Sequence, residues 1–313
     1  MSQLSEPRRV PDLLGHDLVV VTGKGGVGKT TVAMALGVAA ARRGLRAIVA
    51  EVASRDDVRA TLGDADQARD REVELAFGVH HTSIDPDEAL AEYLLDQLGS
   101  RSLADALGGS RAFGYLAAAT PGLRELLTIG KVWELAQADR RTPGGQPYDV
   151  VILDAPATGH GLAVLRAPRT FAQTAAAGRI ARQADRIDEL VRDPARTAVV
   201  AVARPEELPV NEVIELEAAL ARDIGLALTL VVVNRVVAPR FTAAESRRLA
   251  GATDSPAVRS ACARGRHARS QQAQVARLRR SVGCPVIGMH ELFHPALDAR
   301  SIRTLSGDLE RAL

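Results

Sequence analysis

The chain has 313 residues, 46% of them hydrophobic, which is enough for one large domain or two small ones. Its 40 Lys and Arg against 38 Asp and Glu leave a formal net charge of +2, too little to indicate a nucleic-acid or membrane-surface binder. The two cysteines, Cys262 and Cys284, form no CxxC or Cys/His pattern, which argues against a disulfide framework or a structural zinc site. This cysteine usage fits a reducing compartment, the cytoplasm.

The start of the chain is predicted to be a flexible lead over residues 1–16, because it mixes charged residues with Pro and Gly and has no apolar core of an export signal. The longest apolar stretch, residues 32–41, covers about ten residues, against roughly twenty for a membrane-spanning helix. We therefore expect no membrane-spanning segment, and we place one domain over residues 17–313.

Short β-branched apolar runs alternate with segments of helical periodicity. Residues 18–21 end at a Gly-rich turn, an Ala-rich helix is expected at 30–43, and a second strand at 46–52. Such a βαβ unit implies parallel pairing and a right-handed crossover. Further strands are expected at 148–153, 198–203, 228–233 and 285–289, and a helix at 210–222. The sequence predicts an α/β fold with a doubly wound, mostly parallel sheet.

Residues 55–140 differ from this alternation, because they are rich in charged residues and repeat Leu and Ala at three-to-four spacing in 88–98 and 123–138. We predict an all-helical insertion here, with its body at about 85–140. Its apolar side chains either pack the insertion helices together, which we favour, or line a surface for a client protein. The residues concerned are Leu94, Leu95, Leu98, Leu103, Leu107, Phe113, Tyr115 and Leu116.

The segment between the first strand and the first helix matches the P-loop pattern G-x-x-x-x-G-K-T. Glycines let consecutive backbone N–H groups converge on phosphate oxygens, and the helix N-terminus adds its positive dipole end. In this pattern Lys29 reaches the β- and γ-phosphates, and the Thr30 hydroxyl ligates Mg²⁺. The predicted cofactors are ATP and Mg²⁺. The predicted loop residues are Gly23, Lys24, Gly25, Gly26, Val27, Gly28, Lys29, Thr30 and Thr31.

A second lysine, Lys24, directly follows the first glycine of the loop. In this respect the loop resembles the deviant P-loop, or deviant Walker A motif, of a group of dimeric ATPases that includes the septum-site, partition, nitrogenase-iron and ArsA-type proteins. The resemblance implies a homodimer, or a heterodimer with a paralogous ATPase, in which Lys24 reaches the partner's nucleotide. A cation supplied in this way neutralises charge during phosphoryl transfer. The alternative is a solvated loop lysine.

A second motif starts at Asp154, where a buried strand gives way to the sequence Asp-Ala-Pro-Ala-Thr-Gly-His. An aspartate at this position holds the hydration shell of Mg²⁺, so Asp154 and Thr30 form the predicted metal site, and the loop beyond is placed to sense the γ-phosphate. This passage closely resembles a loop of the ArsA/Get family, the anion-transporting and tail-anchored-protein-targeting ATPases. The match continues through residues 161–168.

Further matches to the ArsA/Get family follow in order at 121–125, 205–206 and 231–235, so the resemblance covers about residues 17–240. It implies that Asn234 hydrogen-bonds the adenine and that Glu212 contacts nucleotide near the dimer interface. The alternatives are a strand-capping side chain for Asn234 and a helix-surface glutamate for Glu212.

The family pattern breaks after the second strand. The sequence from Glu51 to Arg55 resembles the Glu-Val-x-x-Arg of the actinobacterial branch, whereas most members carry Asp-Pro-Ala-His. The resemblance implies that this aspartate orients the attacking water, and no aspartate falls at the matching place. We predict that Glu51 substitutes, with Asp56 as the second candidate and an ordinary strand-end charge as the alternative. If neither serves, hydrolysis is slow. The predicted catalytic residues are Lys24, Lys29, Glu51 and Asp154.

Several features narrow the function. Arsenite-pump members collect metalloid with three cysteine thiolates, and this chain has two cysteines. The CxxC pair and the Met-rich client groove of Get-type ATPases are also missing, since the chain has three Met. The basic stretches 264–269 and 277–280 have no interleaved aromatics, so we expect a solvated helix face, or a surface for an acidic partner, and no nucleic acid.

Three functions remain open. The leading one is a dimeric ATPase whose nucleotide-driven closure acts on a client protein, in a chaperone-like or targeting-like role that contacts a membrane only through the client. The second is the catalytic subunit of an anion or metalloid efflux pump. The third is a weakly hydrolysing nucleotide-binding structural subunit paired with an active paralogue.

Overall fold

A computed structural model describes most of the protein. The described residues are 12–52, 57–63, 72–90, 120, 122–142, 144–174, 178–252, 255–294 and 296–313. Among them, eight strands form a single sheet: β1 (Leu18–Gly23), β2 (Ala47–Val52), β3 (Val73–Glu74), β4 (His80–Ile84), β5 (Val150–Asp154), β6 (Thr197–Ala203), β7 (Leu230–Val236) and β8 (Val286–His290). Their order across the sheet is β3, β4, β2, β5, β1, β6, β7, β8. All pairings are parallel except β3 with β4.

Helices cover both faces of the sheet. Those with both ends in the described ranges are α1 (Lys29–Arg42), α2 (Asp57–Leu62), α3 (Leu123–Leu135), α4 (Thr158–Thr174), α5 (Arg179–Arg192), α6 (Glu207–Asp223), α7 (Ala243–Ala250), α8 (Pro256–Ser281) and α9 (Ala299–Glu310). One core layer packs α1, α2 and α9 against the sheet, and the other packs α3, α4, α5, α6 and α8. The fold is therefore α/β and doubly wound, as the sequence predicts.

The central strands are buried along their whole length because helices lie on both sides of them. Successive side chains of β1 alternate between the layers, with Val19 and Val21 facing α1 and Val20 facing the other layer. Asp154, at the end of β5, is paired in register with Val21 of β1 and Glu51 of β2. The carboxyl ends of these three strands thus meet at one edge of the sheet.

Two strands lie in a segment for which the sequence predicted helix only, so that part of the prediction is wrong. β4 reads His-His-Thr-Ser-Ile and lacks an apolar run, and it becomes a strand because it pairs with β2. Helix follows at residues 86–90 and again at α3, which confirms the predicted helix at 123–138. Residues 91–119, including the apolar set from Leu94 to Leu116, lie outside the described residues, so the helical insertion stays a prediction.

The predicted flexible lead is wrong at its end. Leu13 and Leu14 belong to a short 3₁₀ turn, Leu13–Gly15, and both are buried in the same layer as α1 and α9. Their burial removes two large apolar side chains from water, which outweighs the polar character of the residues around them. The ordered domain therefore begins before residue 17.

The part of the chain that the structure describes contains no helix long and apolar enough to cross a membrane. The basic residues of the C-terminal region lie on α8, where Arg266, Arg269, Arg279 and Arg280 are exposed. This placement is that of a solvated helix face.

Candidate functional site

The P-loop runs from the end of β1 to the start of α1. Gly26 and Gly28 have positive φ angles of 80° and 97°, which favour glycine. A Cβ at Gly28 would lie 2.2 Å from Asn234 Nδ2, and one at Gly23 would lie 2.2 Å from the carbonyl oxygen of Val202. Both glycines of the motif are thus required by the close approach of β6 and β7, in addition to any need of a phosphate.

Asn234 braces the P-loop from β7. Its side chain is buried, and Nδ2 donates a 2.9 Å hydrogen bond to the carbonyl oxygen of Val27. This bond gives the buried loop carbonyl a donor and fixes the loop relative to the sheet. The predicted contact of Asn234 with adenine stays a prediction, and it has to use the remaining N–H or the oxygen of the amide.

The predicted metal ligands lie together at the first turn of α1. Thr30 Oγ1 donates a 2.5 Å hydrogen bond to Asp154 Oδ2, and Lys29 Nζ donates one of 3.4 Å to the carbonyl oxygen of Lys24. Asp154 is 7% exposed, and its Oδ1 is buried and accepts no hydrogen bond within the described residues. Two side chains 124 positions apart in sequence thus form one polar cluster beneath the loop.

The pKa of Asp154 is raised to about 6, chiefly by burial and also by the negative charges of Glu51 and Asp57, which together outweigh the lowering by the hydrogen bond from Thr30 and the charge of Lys29. A carboxylate in this setting is short of positive charge, so a cation beside it would be strongly favoured. The described residues include no group of three or more His, Cys, Asp or Glu side chains placed for a metal ion. Mg²⁺ bound to nucleotide needs only one or two protein oxygens, which Thr30 and Asp154 provide.

Glu51 lies beside Asp154 in the sheet register and is 2% exposed. Its Oε1 accepts a 3.3 Å hydrogen bond from the backbone N–H of Asp57, and its Oε2 accepts one of 3.4 Å from that of Val58. Nε2 of His81 also lies 3.3 Å from Oε2. The carboxylate is therefore held between α2 and β4, and its predicted role in positioning water stays a prediction. The second candidate, Asp56, lies outside the described residues.

Lys24 and Glu212 are brought together within one chain. Lys24 Nζ lies 2.7 Å from Glu212 Oε1, which joins the P-loop to α6. Glu212 thus lies on the Lys24 side of the loop, and Glu51 lies on the Asp154 side, at the carboxyl edge of the sheet. The reach of Lys24 to a second subunit is untested and stays a prediction.

Sequence reasoning missed two residues of this cluster, Asp57 and His81. Asp57 directly follows Asp56, which was already a candidate for positioning water, so the sequence could have indicated it. His81 gave none, because the strand that carries it was itself not predicted.

Comparison with known proteins identifies the family and several relatives of the chain. The family model for anion-transporting ATPases matches residues 16–183. The ATPase BagA of Mycobacterium tuberculosis is 31% identical over 257 residues, which are 79% of this chain and 74% of that protein. A putative arsenical pump-driving ATPase of Halobacterium salinarum is 27% identical over 68% of this chain and 34% of its own length. The ATPase GET3 of Kluyveromyces lactis is 28% identical over 50% of this chain and 47% of its own length. With a family model that matches more than half of its residues, the chain belongs to the anion-transporting ATPase family.

Proposed function

We propose that the chain binds Mg²⁺·ATP at its P-loop and hydrolyses the nucleotide to ADP and phosphate. The observation that carries the proposal is the hydrogen bond from Thr30 to Asp154, which joins a hydroxyl and a carboxylate at the first turn of α1. P-loop NTPases hold nucleotide-bound Mg²⁺ with this pair of ligand types. Membership of a family of ATPases supports the same function.

The loop fits a chain of phosphates. A Cβ added at Gly25 or Gly26 would meet no atom of the described residues within 4 Å, so with respect to them the loop is open on that side. Helix α1 begins at Lys29, and its N-terminal end adds a favourable potential for an anion. Backbone N–H groups and the Lys29 ammonium are the donors that would bind and orient the triphosphate.

The Thr30 and Asp154 side chains fit Mg²⁺, because the buried Oδ1 of Asp154 has no donor among the described residues and a metal-bound water would satisfy it. When bound, Mg²⁺ neutralises charge on the β- and γ-phosphates. Lys29 adds a second positive charge, and the rigid loop between β1 and α1 orients the phosphate chain for attack by water.

We further propose that two chains close on the nucleotide and that Lys24 crosses to the partner. The Lys24–Glu212 ion pair is partly exposed, so its exchange for another anion costs little. Leu208, on the same helix as Glu212 and about one turn away, is 65% exposed. An exposed apolar side chain one turn from the partner of Lys24 supports a contact between chains at this edge.

We propose that closure of the two chains moves a client protein in the cytoplasm and that the ATPase contacts membranes only through this client. The predicted insertion at 85–140 would bind it. Similarity to the putative arsenical pump-driving ATPase of Halobacterium salinarum supports the alternative function, the catalytic subunit of an efflux pump. Cys262 and Cys284 alone fall short of three thiolates, so we place the pump second.

One observation favours the third function, a slowly hydrolysing subunit paired with an active paralogue. Both carboxylate oxygens of Glu51 already accept hydrogen bonds from α2. A group held in this way is poorly placed to orient a water molecule, so slow turnover would follow if Glu51 were the only candidate.

Phosphate release from saturating Mg²⁺·ATP tests the proposed hydrolysis. We expect slow but measurable turnover in the wild type, a loss of at least about a hundredfold in Asp154→Asn, and wild-type turnover in the control Asp139→Asn, whose aspartate is exposed outside the site. Equal turnover in all three proteins would contradict the assignment of Asp154.

A further inference from the structure

His81 is a fully buried polar residue that the proposed chemistry does not use. It is 0% exposed and lies in β4, in register with Val49 of β2. Its Nε2 lies 3.3 Å from Oε2 of Glu51, whereas its Nδ1 has no hydrogen-bond partner among the described residues. The tautomer with the proton on Nε2 donates to the carboxylate, which offsets part of the penalty of burying both groups.

Glu51 in turn holds the start of α2. The first N–H groups of a helix have no partner within the helix, and here those of Asp57 and Val58 donate to the two oxygens of Glu51. The capping carboxylate comes from the adjacent strand β2, six residues before Asp57. One side chain therefore joins the end of β2 to the start of α2.

The tie lies beside the proposed metal site. Glu51 is the register neighbour of Asp154, and the charges of Glu51 and Asp57 both act on the Asp154 carboxyl. The position of Asp57 relative to Asp154 thus depends on its hydrogen bond to Glu51. The position of Glu51 depends in turn on its contact with His81.

We propose that His81 and Glu51 form a positioning pair that fixes the start of α2 beside Asp154, and that the pair sets the turnover of bound nucleotide without setting its affinity. The inference rests on the hydrolysis proposed above. Among the described residues, the hydrogen bonds of Glu51 and His81 go to each other and to α2, and none goes to Asn234 or to the loop from Gly23 to Gly28, so the backbone donors for phosphate do not depend on them. The geometry around the reacting phosphate is sensitive to small displacements of neighbouring charged groups, so turnover depends on the pair.

The test compares His81→Leu, which fills a similar volume but donates no hydrogen bond, with His81→Gln, whose amide N–H replaces the donor. Mg²⁺·ATP affinity and the turnover number are measured on each full-length protein, with His290→Leu, an exposed histidine of β8, as the control. We expect a drop in turnover of about tenfold or more in His81→Leu with the dissociation constant within about threefold of wild type, and recovery of most of the turnover in His81→Gln.

Hydrogen exchange gives a second measurement that does not depend on activity. The amides of Asp57 and Val58 should exchange faster in His81→Leu and in Glu51→Gln, whereas the amides of α1 should not change. Wild-type turnover in a folded His81→Leu, a parallel loss of affinity, or failure of His81→Gln to recover turnover would overturn the pair alone. A wild-type protein that binds ATP but never hydrolyses it would overturn the proposed hydrolysis, and with it the effect of the pair on turnover.

Discussion

Lys24 of the P-loop and Glu212 of α6 form an ion pair within one chain, with Nζ 2.7 Å from Oε1. The two side chains are 37% and 33% exposed, so the pair adds little to stability. For Lys24 to contact the nucleotide of a second chain, this ion pair has to break first.

Lys24→Ala separates binding from closure. The variant keeps Lys29 and the loop backbone, so we expect Mg²⁺·ATP affinity within about threefold of wild type. Turnover should fall by a factor of about a hundred or more, because a cation supplied by a partner acts mainly in the transition state. Affinity is measured by titration and turnover by phosphate release. Unchanged turnover would show that Lys24 is an ordinary loop lysine.

Asn234→Ala distinguishes the loop brace from the adenine contact. Without the amide, the buried carbonyl oxygen of Val27 loses its donor, so the free energy of unfolding without nucleotide should fall by about 1–3 kcal/mol. Denaturant unfolding of the nucleotide-free protein measures this change. The affinities for ATP and GTP are measured in parallel to test the adenine contact. Unchanged stability together with a lost preference for ATP over GTP would favour the adenine contact over the brace.

Asp154 gives the metal-free protein a defined pH dependence. Burial raises its pKa from 3.8 to about 6, above the value in the unfolded chain. Between these two pKa values the folded state holds a proton that the unfolded state releases. Asp154 therefore contributes to the free energy of unfolding below about pH 4, and this contribution, about 2–3 kcal/mol, is lost as the pH rises to about 6.

In Asp154→Asn the charge is absent, so without Mg²⁺ the variant should gain stability over wild type as the pH rises from 4 to 7. Unfolding by denaturant at several pH values, in chelator, measures the difference. A difference between the two proteins that stays constant with pH would contradict the raised pKa.

Arg140 joins two acidic side chains at the opposite end of the sheet. Its side chain is 1% exposed and lies 2.5 Å from Glu72 and 2.9 Å from Glu134, and the Tyr148 hydroxyl donates to Glu72 at 2.7 Å. Burial alone would raise the pKa of each carboxyl, but the hydrogen bonds and charge of Arg140 outweigh it, so the pKa of Glu72 and that of Glu134 are both lowered.

Arg140→Met should therefore destabilise the fold by about 3–5 kcal/mol at pH 7, since it leaves the buried carboxylate of Glu134 and the partly buried carboxylate of Glu72 without their cation. In the wild type, the contribution of these lowered pKa values is complete above about pH 4.5 and is lost as the pH falls through the folded-state values. In the variant, which has no Arg140, the free energy of unfolding should not show this decrease as the pH falls. Thermal unfolding between pH 3 and 7 measures both effects, and a variant as stable as wild type at pH 7 would contradict them.

Much of the site could be predicted from local sequence. The strand, glycine-rich turn and helix around Lys29 are contiguous, and Asp154 follows from the rule that carboxyl ends of parallel strands share an edge. What could not be predicted depends on contacts between distant segments. β4 carries polar residues that only pairing with β2 turns into a strand, and the partner of Asn234 is 207 residues away.

Glu51 shows the same limit within a single residue. Its place at the end of β2 could be predicted from sequence, but its hydrogen bonds to Asp57 and Val58 depend on where α2 lies relative to β2. Residue propensities do not report that placement, and the role of His81 became visible only with the sheet order.

Titration of ATP onto the purified wild-type protein, with Mg²⁺ and with chelator, tests the central claim most directly. We expect saturable binding of one nucleotide per chain that tightens when Mg²⁺ is present, and loss of that tightening in Thr30→Ala. Absence of ATP binding in both conditions, or binding that Mg²⁺ leaves unchanged, would contradict the assignment of the Thr30–Asp154 pair as the site of Mg²⁺·ATP.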